Sequence, residues 1–373
     1  MEPCDLLVVG AGPTGCVIAE RAAAVLGWRV IIIDKRRHLA GNCFDEHDDA
    51  GYFVQRYGPH YFRTWDDDVV RYLSRFTDWI DGNYVVQSLV RGRLYPFPIN
   101  LVTLERFFGR QFTPESAREH LDHLRDRIEV PRNSEEHVVS RVGWELYRDF
   151  YLEYTKKQWN RHPRDLDTEV CGRIPVRFNR DCRYTDAPFQ KMPAAGYTRM
   201  FARMIDHPLI TVLLGVDWRD VRDHARPTHA TVYTGPLDEY FDGSLGSLAW
   251  RSLEFEFRHF DDDLIQPCVQ INYPDARKYT RSVEFKHVTG QHHPGTVVMY
   301  EYPRDHGDPY YPVPSPANRR LYGMYKELAE RETRERNVHF CGRLAEYRYI
   351  NTDTAIRNAL DLFDRIGHEY RHD

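Results

Sequence analysis

Leu6-Leu7-Val8-Val9-Gly10-Ala11-Gly12-Pro13-Thr14-Gly15 leads through an alanine-rich run to Leu26 and then to Val30-Ile31-Ile32-Ile33-Asp34. The two short apolar runs read as buried strands, and the alanine-rich segment between them reads as a helix. Gly10, Gly12 and Gly15 have the G-x-G-x-x-G spacing. Gly10 permits a tight turn, Gly12 lets backbone approach a pyrophosphate, and Gly15 lets the helix lie close on the strand. Phosphates then sit at the helix N-terminus, where free N–H groups and the helix dipole favour negative charge. Asp34 ends the second strand, where an acid accepts hydrogen bonds from a ribose. Glycine used only for packing is the plainer explanation of the pattern, but the ordered strand, loop, helix, strand and acid favour dinucleotide binding. The motif does not separate FAD from NAD(P).

Bulk properties narrow the field. A length of 373 residues predicts two or three domains with ample core. The formal net charge of −5 gives no reason to expect nucleic-acid binding. Apolar runs are no longer than strands, so no membrane span is expected. The first strand begins by Leu6, leaving no room for a signal peptide. Seven cysteines without a C-x-x-C predict reduced thiols and a cytoplasmic protein. The 18 histidines include no H-E-x-x-H or comparable ligand spacing, so no metal is expected.

Outward from the glycine loop, Lys35 to Cys43 is a basic loop containing Gly41 and Asn42, close to where a cofactor belongs. Asp66 to Phe76 has helical spacing, and Tyr84 to Leu89 alternates as a strand. Pro96 and Pro98 deny ladder donors, which favours a sheet edge. Residues 101–159 change to helical periods, with Thr113-Pro114-Glu115 as a helix start. Residues 251–300 are rich in strands, and Pro303 to Pro316 reads as a loop. Val338 to Cys341, then Gly342-Arg343, ends a late strand, and Asn351-Thr352 opens the last helix. That unit either returns to the glycine loop as a second pyrophosphate cap or is a plain terminal αβ element. The expected fold is α/β. It has a discontinuous Rossmann-like domain (1–80, 190–243 and 318–373), an inserted helical domain (100–170) and a twisted antiparallel sheet domain (81–99, 171–189 and 244–317).

The order of motifs along nearly the whole chain resembles the flavin-dependent UDP-galactopyranose mutases of the bacterial type. The resemblance runs through Tyr57-Gly58-Pro59-His60, Tyr95-Pro96-Phe97-Pro98-Ile99-Asn100, Tyr154-Thr155-Lys156-Lys157-Gln158-Trp159 and Arg173-Ile174-Pro175-Val176-Arg177-Phe178-Asn179. It continues through Tyr233-Thr234-Gly235-Pro236-Leu237-Asp238, Tyr279-Thr280-Arg281, Tyr310-Tyr311-Pro312 and Gly342-Arg343-Leu344 with Tyr347-Arg348-Tyr349.

The resemblance implies an isomerase that interconverts pyranose and furanose forms of a nucleotide-diphosphate hexose. The cofactor implied is reduced FAD, whose N5 attacks the anomeric carbon without net redox change. Arg173 and Arg281 would hold the diphosphate by bidentate charge-assisted bonds. Tyr184, Tyr311 and Tyr349 would add hydroxyls. Phe150 and Tyr154 would sandwich the base, with Thr155 beside them and Trp159 on a mobile loop. The helical spacing of Phe150, Tyr151 and Tyr154 is equally that of a domain core. Arg343 is expected beside pyrophosphate and substrate, and His60 near the flavin. Gly10, Gly12, Gly15, Asp34, Lys35, Gly41, Asn42, Gly342 and Arg343 form the expected cofactor site. A homodimer and an external reductant such as NAD(P)H are further family expectations.

Two substrate-proximal positions depart from the family pattern. Arg63 stands where a second histidine is usual, and Asn351 where an acid is usual. The first adds a permanent cation, and the second replaces an acceptor by an amide that also donates. The substrate expected is UDP-galactose or a related NDP-hexose, and both departures favour the related one. Two other classes fit parts of the chain: a flavin oxidoreductase of the amine-oxidase kind, and a non-catalytic binder of sugar nucleotides. The arginine and tyrosine set favours the mutase, since oxidation of an apolar amine needs no diphosphate clamp.

Overall fold

The computed structural model describes residues 3–370. The chain forms two compact units. One comprises the residues through Asp81, Ala187–Ala249 and those from Arg319 onward; the other comprises Gly82–Asp186 and Trp250–Asn318.

The first unit is built on a five-stranded parallel sheet in the order Ile210–Leu214, Val30–Asp34, Leu6–Val9, Ala230–Tyr233, Val338–Phe340. Leu6–Val9 is central and buried on both faces, which explains its unbroken apolar sequence. Leu7, Val9, Ile31, Ile33 and Tyr233 form one core cluster on this sheet, with Trp218, Tyr240 and Phe340 packed against it. Helix Pro13–Leu26 follows the first strand and packs against the terminal helix Thr352–Tyr370. A separate three-stranded sheet has Phe189–Pro193 between Phe62–Thr64 and Trp79–Asp81. Its central strand was not predicted, because Phe-Gln-Lys-Met-Pro has neither an apolar run nor clean alternation.

The second unit holds a seven-stranded sheet in the order Tyr311–Pro312, Trp250–Phe260, Thr296–Arg304, Arg281–Glu284, Gln270–Asn272, Val86–Val90, Arg93–Phe97. The proline-containing strand lies at the edge, as its missing donors require. The sheet differs from the antiparallel expectation at one seam, where Gln270–Asn272 pairs parallel with Val86–Val90. Parallel neighbours need a long crossover, and the excursion between these strands supplies it. The predicted loop at 303–316 is shorter than expected, since Thr296–Arg304 and Tyr311–Pro312 both take part in the sheet.

Helices Leu101–Phe108, Pro114–Leu124, Ser134–Leu146 and Glu153–Trp159 complete this unit. Thr113 caps the second through a reciprocal box with Ser116. Between the last two lies a π-helical turn, Tyr147–Leu152. Such a turn carries an extra residue and shifts the helical phase.

Candidate active site

In the first unit, the three glycines of the opening motif have different neighbours. A Cβ on Gly15 would lie 1.9 Å from the Gly10 carbonyl oxygen, so helix and strand touch there and no side chain fits. Gly10 has φ +112°, and its Cβ would strike the Thr234 side chain. Gly12 is otherwise. Its φ of −81° suits any residue, and its Cβ would meet only the Gly41 Cα at an ordinary 3.7 Å. Nothing within the described protein demands glycine at position 12. The helix it precedes has no side-chain cap, so its first N–H groups remain available to an anion.

The basic loop folds back on this turn. The Ala40 N–H donates to Ala11 O at 2.9 Å. Gly41, at φ +54°, lies so near Gly12 that its own Cβ would be 3.0 Å from the Gly12 Cα. Asn42 Oδ1 accepts from Arg36 Nη1 at 2.8 Å, and the Arg36 guanidinium sits 4.3 Å from the Tyr57 ring centroid. Lys35 is exposed. The Asp34 carboxylate takes the Ala11 and Arg36 backbone N–H groups, both at 2.8 Å. It therefore ties the glycine loop to the second strand, a task the ribose-acceptor reading did not foresee.

The late strand and helix do return to the first helix. A Cβ on Gly342, at φ +101°, would meet Thr14 Oγ1 at 3.0 Å, and Cys43 Sγ lies 3.9 Å from Thr352 Oγ1. Arg343 stacks its guanidinium on the Tyr349 ring at 4.5 Å. Tyr349 is 38% exposed, and Asn351 is exposed, its carbonyl accepting the Ala355 N–H of the last helix. His60 Nδ1 faces the Gly58 carbonyl at 2.9 Å, so Nδ1 carries the proton. The His60 main chain is bracketed by the Gln55 side chain, which accepts its N–H at 2.6 Å and donates to its carbonyl at 3.0 Å. Arg63 is half-buried on strand Phe62–Thr64, opposite Gln190.

The second unit gathers an acid and several tyrosines around Arg281. Across the sheet, Arg281 pairs with Glu301, and Arg281 Nε and Nη2 both donate to Glu301 Oε2, at 2.8 and 2.5 Å. Glu301 is fully buried, and its Oε1 has no hydrogen-bond partner among the described residues. Arg281 Nη2 also donates to the Tyr311 hydroxyl at 3.2 Å. Burial works against the Arg281 charge, but Glu301 outweighs it and, with Tyr311, Tyr154 and Tyr84 nearby, holds the guanidinium well above its ordinary pKa. Trp159 is 6% exposed, the last residue of Glu153–Trp159, with its ring 6.1 Å from that of Tyr311.

Arg173 is exposed at the end of the short helix Glu169–Gly172. That helix is moored by Cys171, whose Sγ lies 3.7 Å from the Oγ1 of buried Thr155 and whose N–H reaches Ser134 Oγ at 3.4 Å. Tyr184 is half-buried, edge-on to Tyr84 at 6.3 Å. Phe150 is placed differently from the rest. It is 2% exposed and packed among Tyr95, Phe97 and Phe107, while Tyr154 is half-buried. The π-helical turn makes the difference, since its phase shift separates two residues that uniform helical spacing would put on one face.

Glu301 and Arg251 were not singled out in the sequence. Glu301 fell outside the predicted strand, which ended at Tyr300. An acid amid Val297, Val298 and Met299 was the available signal, because a buried acid demands a partner.

A parallel sheet with an uncapped glycine turn defines a dinucleotide-binding enzyme of Rossmann-like class, here joined to an arginine–tyrosine site suited to a phosphorylated ligand. Residues 8–76 match the NAD(P)-binding Rossmann-like domain model, and residues 149–349 match the model for UDP-galactopyranose mutase. The chain is 35% identical to a dTDP-fucopyranose mutase of Escherichia coli, covering 95% of this chain and 96% of that protein. It is 37% identical to a probable UDP-galactopyranose mutase of Klebsiella pneumoniae, covering 98% and 95%. Its fold is similar to that of a reduced UDP-galactopyranose mutase, with a TM-score of 0.76 at 18% identity over 97% and 95% of the two chains. The chain belongs to the UDP-galactopyranose mutase family. It is an isomerase, a flavin-dependent pyranose–furanose mutase of nucleotide sugars, with FAD as cofactor.

Gly12 and the uncapped helix N-terminus fit the diphosphate of FAD, since an open backbone surface and free N–H groups are what a pyrophosphate requires. No described helix is long and apolar enough to cross a membrane. Among the described residues no group of three or more His, Cys, Asp or Glu could hold a metal ion.

Proposed function

We propose that the substrate is an NDP-hexose other than UDP-galactose, and that Arg281 and Arg173 grip its diphosphate. The observation that carries the grip is Arg281: a buried-edge cation on a rigid strand, flanked by Tyr311, Tyr154 and Tyr84. With Nε and Nη2 spent on Glu301 and Tyr311, the bidentate fork expected from the sequence is occupied, and Nη1 supplies the charge-assisted donors for phosphate oxygens. Neutral tyrosine hydroxyls add donors without adding charge. When bound, reduced FAD supplies a nucleophilic nitrogen for the anomeric carbon and is regenerated. Arg281 and Arg173 stabilise negative charge on the departing diphosphate and retain it for return. Tyr154 and Thr155 line the nucleotide end, with Phe150 supporting them from the core. Trp159 shields the diphosphate from water. His60, with Nδ1 committed to Gly58, would lie beside the flavin, and Gly10, Gly15, Lys35, Asn42 and Gly342 would complete the cofactor's surroundings.

The choice against UDP-galactose rests on Arg63 and Asn351, where this chain departs from the family. Its named relatives include both a dTDP-fucopyranose and a UDP-galactopyranose mutase at nearly equal identity, so overall similarity does not select between them. In this reading the protein is a cytoplasmic homodimer served by an external reductant such as NAD(P)H.

The test is a panel assay. The dithionite-reduced protein is offered UDP-, dTDP- and GDP-hexopyranoses, and furanose products are separated by chromatography. One preferred sugar other than UDP-galactose is expected. UDP-galactopyranose turnover equal to that of every other sugar would overturn the specificity.

A further inference from the structure

The carboxyl end of helix Glu153–Trp159 is clamped by a side chain from the neighbouring sheet. Arg251, 4% exposed on strand Trp250–Phe260, donates from Nε to Gln158 O at 2.8 Å and from Nη2 to Lys157 O at 3.4 Å. Its Nη1 meets Asp305, and Asp305 Oδ2 accepts from Asn160 Nδ2 at 2.9 Å. Asn160 has φ +50°, so the chain turns away from the helix at this point. A second cation fixes the same helix: Lys157 Nζ donates to the carbonyls of Tyr273, Arg277 and Tyr279 at 2.5, 2.9 and 3.0 Å. The last carbonyls of a helix lack internal partners, and a buried guanidinium satisfies them while complementing the helix dipole.

Arg251 is also the cross-strand partner of Tyr311. One residue thus holds both the helix end that carries Trp159 and the strand that carries Tyr311. These two rings lie 6.1 Å apart, and the Tyr311 hydroxyl accepts from Arg281. An arginine with only a surface role would not be buried with its donors spent on main-chain carbonyls.

We propose that Arg251 is a positioning residue for the diphosphate site: it sets the Trp159 ring against Tyr311 and so fixes the Tyr311 hydroxyl that Arg281 engages. Arg251 itself touches no substrate. The inference rests on the reading of Arg281 and Tyr311 as diphosphate ligands. Lysine does not reproduce the clamp, because its donors radiate from one nitrogen, whereas the Arg251 fork reaches the Gln158 and Lys157 carbonyls and Asp305 from three separate nitrogens.

The experiment compares holoenzyme of wild type, Arg251→Met, Arg251→Lys and Asp305→Asn, with UDP and dTDP as probes. Nucleotide affinity is followed by calorimetry, and kcat and KM on the best panel substrate are measured separately. Arg251→Met is expected to weaken nucleotide binding by about ten-fold, the equivalent of one weakened charge-assisted contact. Arg251→Lys should not restore it. In a Trp159→Ala background the Arg251→Met loss should largely vanish, since the ring through which it acts is gone. A purely structural role would instead lower the melting temperature and leave affinity per folded molecule unchanged. Asp305 is 65% exposed, and in Asp305→Asn the Arg251 cation keeps its two main-chain acceptors, so this variant tests the clamp independently of Arg251→Met, and a smaller loss in the same direction is expected. Wild-type affinity in Asp305→Asn together with wild-type affinity or additivity with Trp159→Ala in Arg251→Met overturns the proposal. If wild type binds neither nucleotide, the diphosphate reading itself has failed, which is a separate result.

Discussion

Arg281 and Glu301 face each other across adjacent antiparallel strands, and two guanidinium nitrogens of the first converge on a single carboxylate oxygen of the second. The arginine expected to grip the substrate is therefore also half of a structural ion pair whose acid is fully buried. Removing one partner of such a pair strands the other in a low-dielectric interior.

Arg281→Ala should accordingly lose stability as well as turnover, by about 3–5 kcal/mol of unfolding free energy. Arg281→Met combined with Glu301→Leu should recover most of that stability while remaining inactive. Denaturant unfolding of the singles and the double checks it. A stable, inactive Arg281→Ala would show that Glu301 finds another partner.

Arg173 makes the opposite prediction. It is exposed at a helix end, so Arg173→Ala should leave stability within about 0.5 kcal/mol. Loss of its charge from the departing diphosphate should cost about 2–5 kcal/mol in kcat/KM, roughly 30- to 4,000-fold. Steady-state kinetics beside a melting curve separate the two effects, and an unchanged kcat/KM would remove Arg173 from the site.

Gly12 and Gly15 belong to one motif but should fail differently. Gly15→Ala forces a methyl onto the Gly10 carbonyl and should destabilise the protein by at least about 1–3 kcal/mol, with or without cofactor. Gly12→Ala meets only an ordinary contact, so the apoprotein should melt as wild type. Its methyl should instead obstruct FAD, seen as weakened retention of the flavin absorbance on gel filtration. Equal retention would mean that the diphosphate does not approach this backbone.

Asp66 offers a pH test. Its carboxylate caps helix Asp67–Leu73 and receives Arg357 Nε and Nη2, both at 2.7 Å. The Arg357 contacts hold its pKa below the ordinary value of 3.8. Stability from the pair is therefore fully present above that value and is lost as pH falls through the depressed one. Asn caps a helix as well as Asp, so Asp66→Asn isolates the ion pair. The variant should melt lower at pH 7, by on the order of 0.5–1 kcal/mol for a partly exposed pair, and the gap should close as pH falls through the depressed Asp66 pKa. A gap that persists in acid would assign the effect to the cap.

Features dictated by local chemistry were legible in the chain. The run from Leu6 to Asp34 specified strand, glycine turn, helix and strand, because burial and backbone freedom act within a few residues. Pro96 placed its strand at a sheet edge for the same local reason, and the ordered motifs carried the family and its mutase class. Tertiary structure alone decided the rest. The pairing of Arg281 with Glu301 comes from strands 20 positions apart and depends on their register. The burial of Phe150 follows from a π-helical turn whose phase shift no apolar spacing announces. Arg251, buried among main-chain carbonyls, reads in the sequence as one more charge in a strand. Cross-strand register, helical phase and the fate of a long side chain are set by global packing, and local sequence does not contain them.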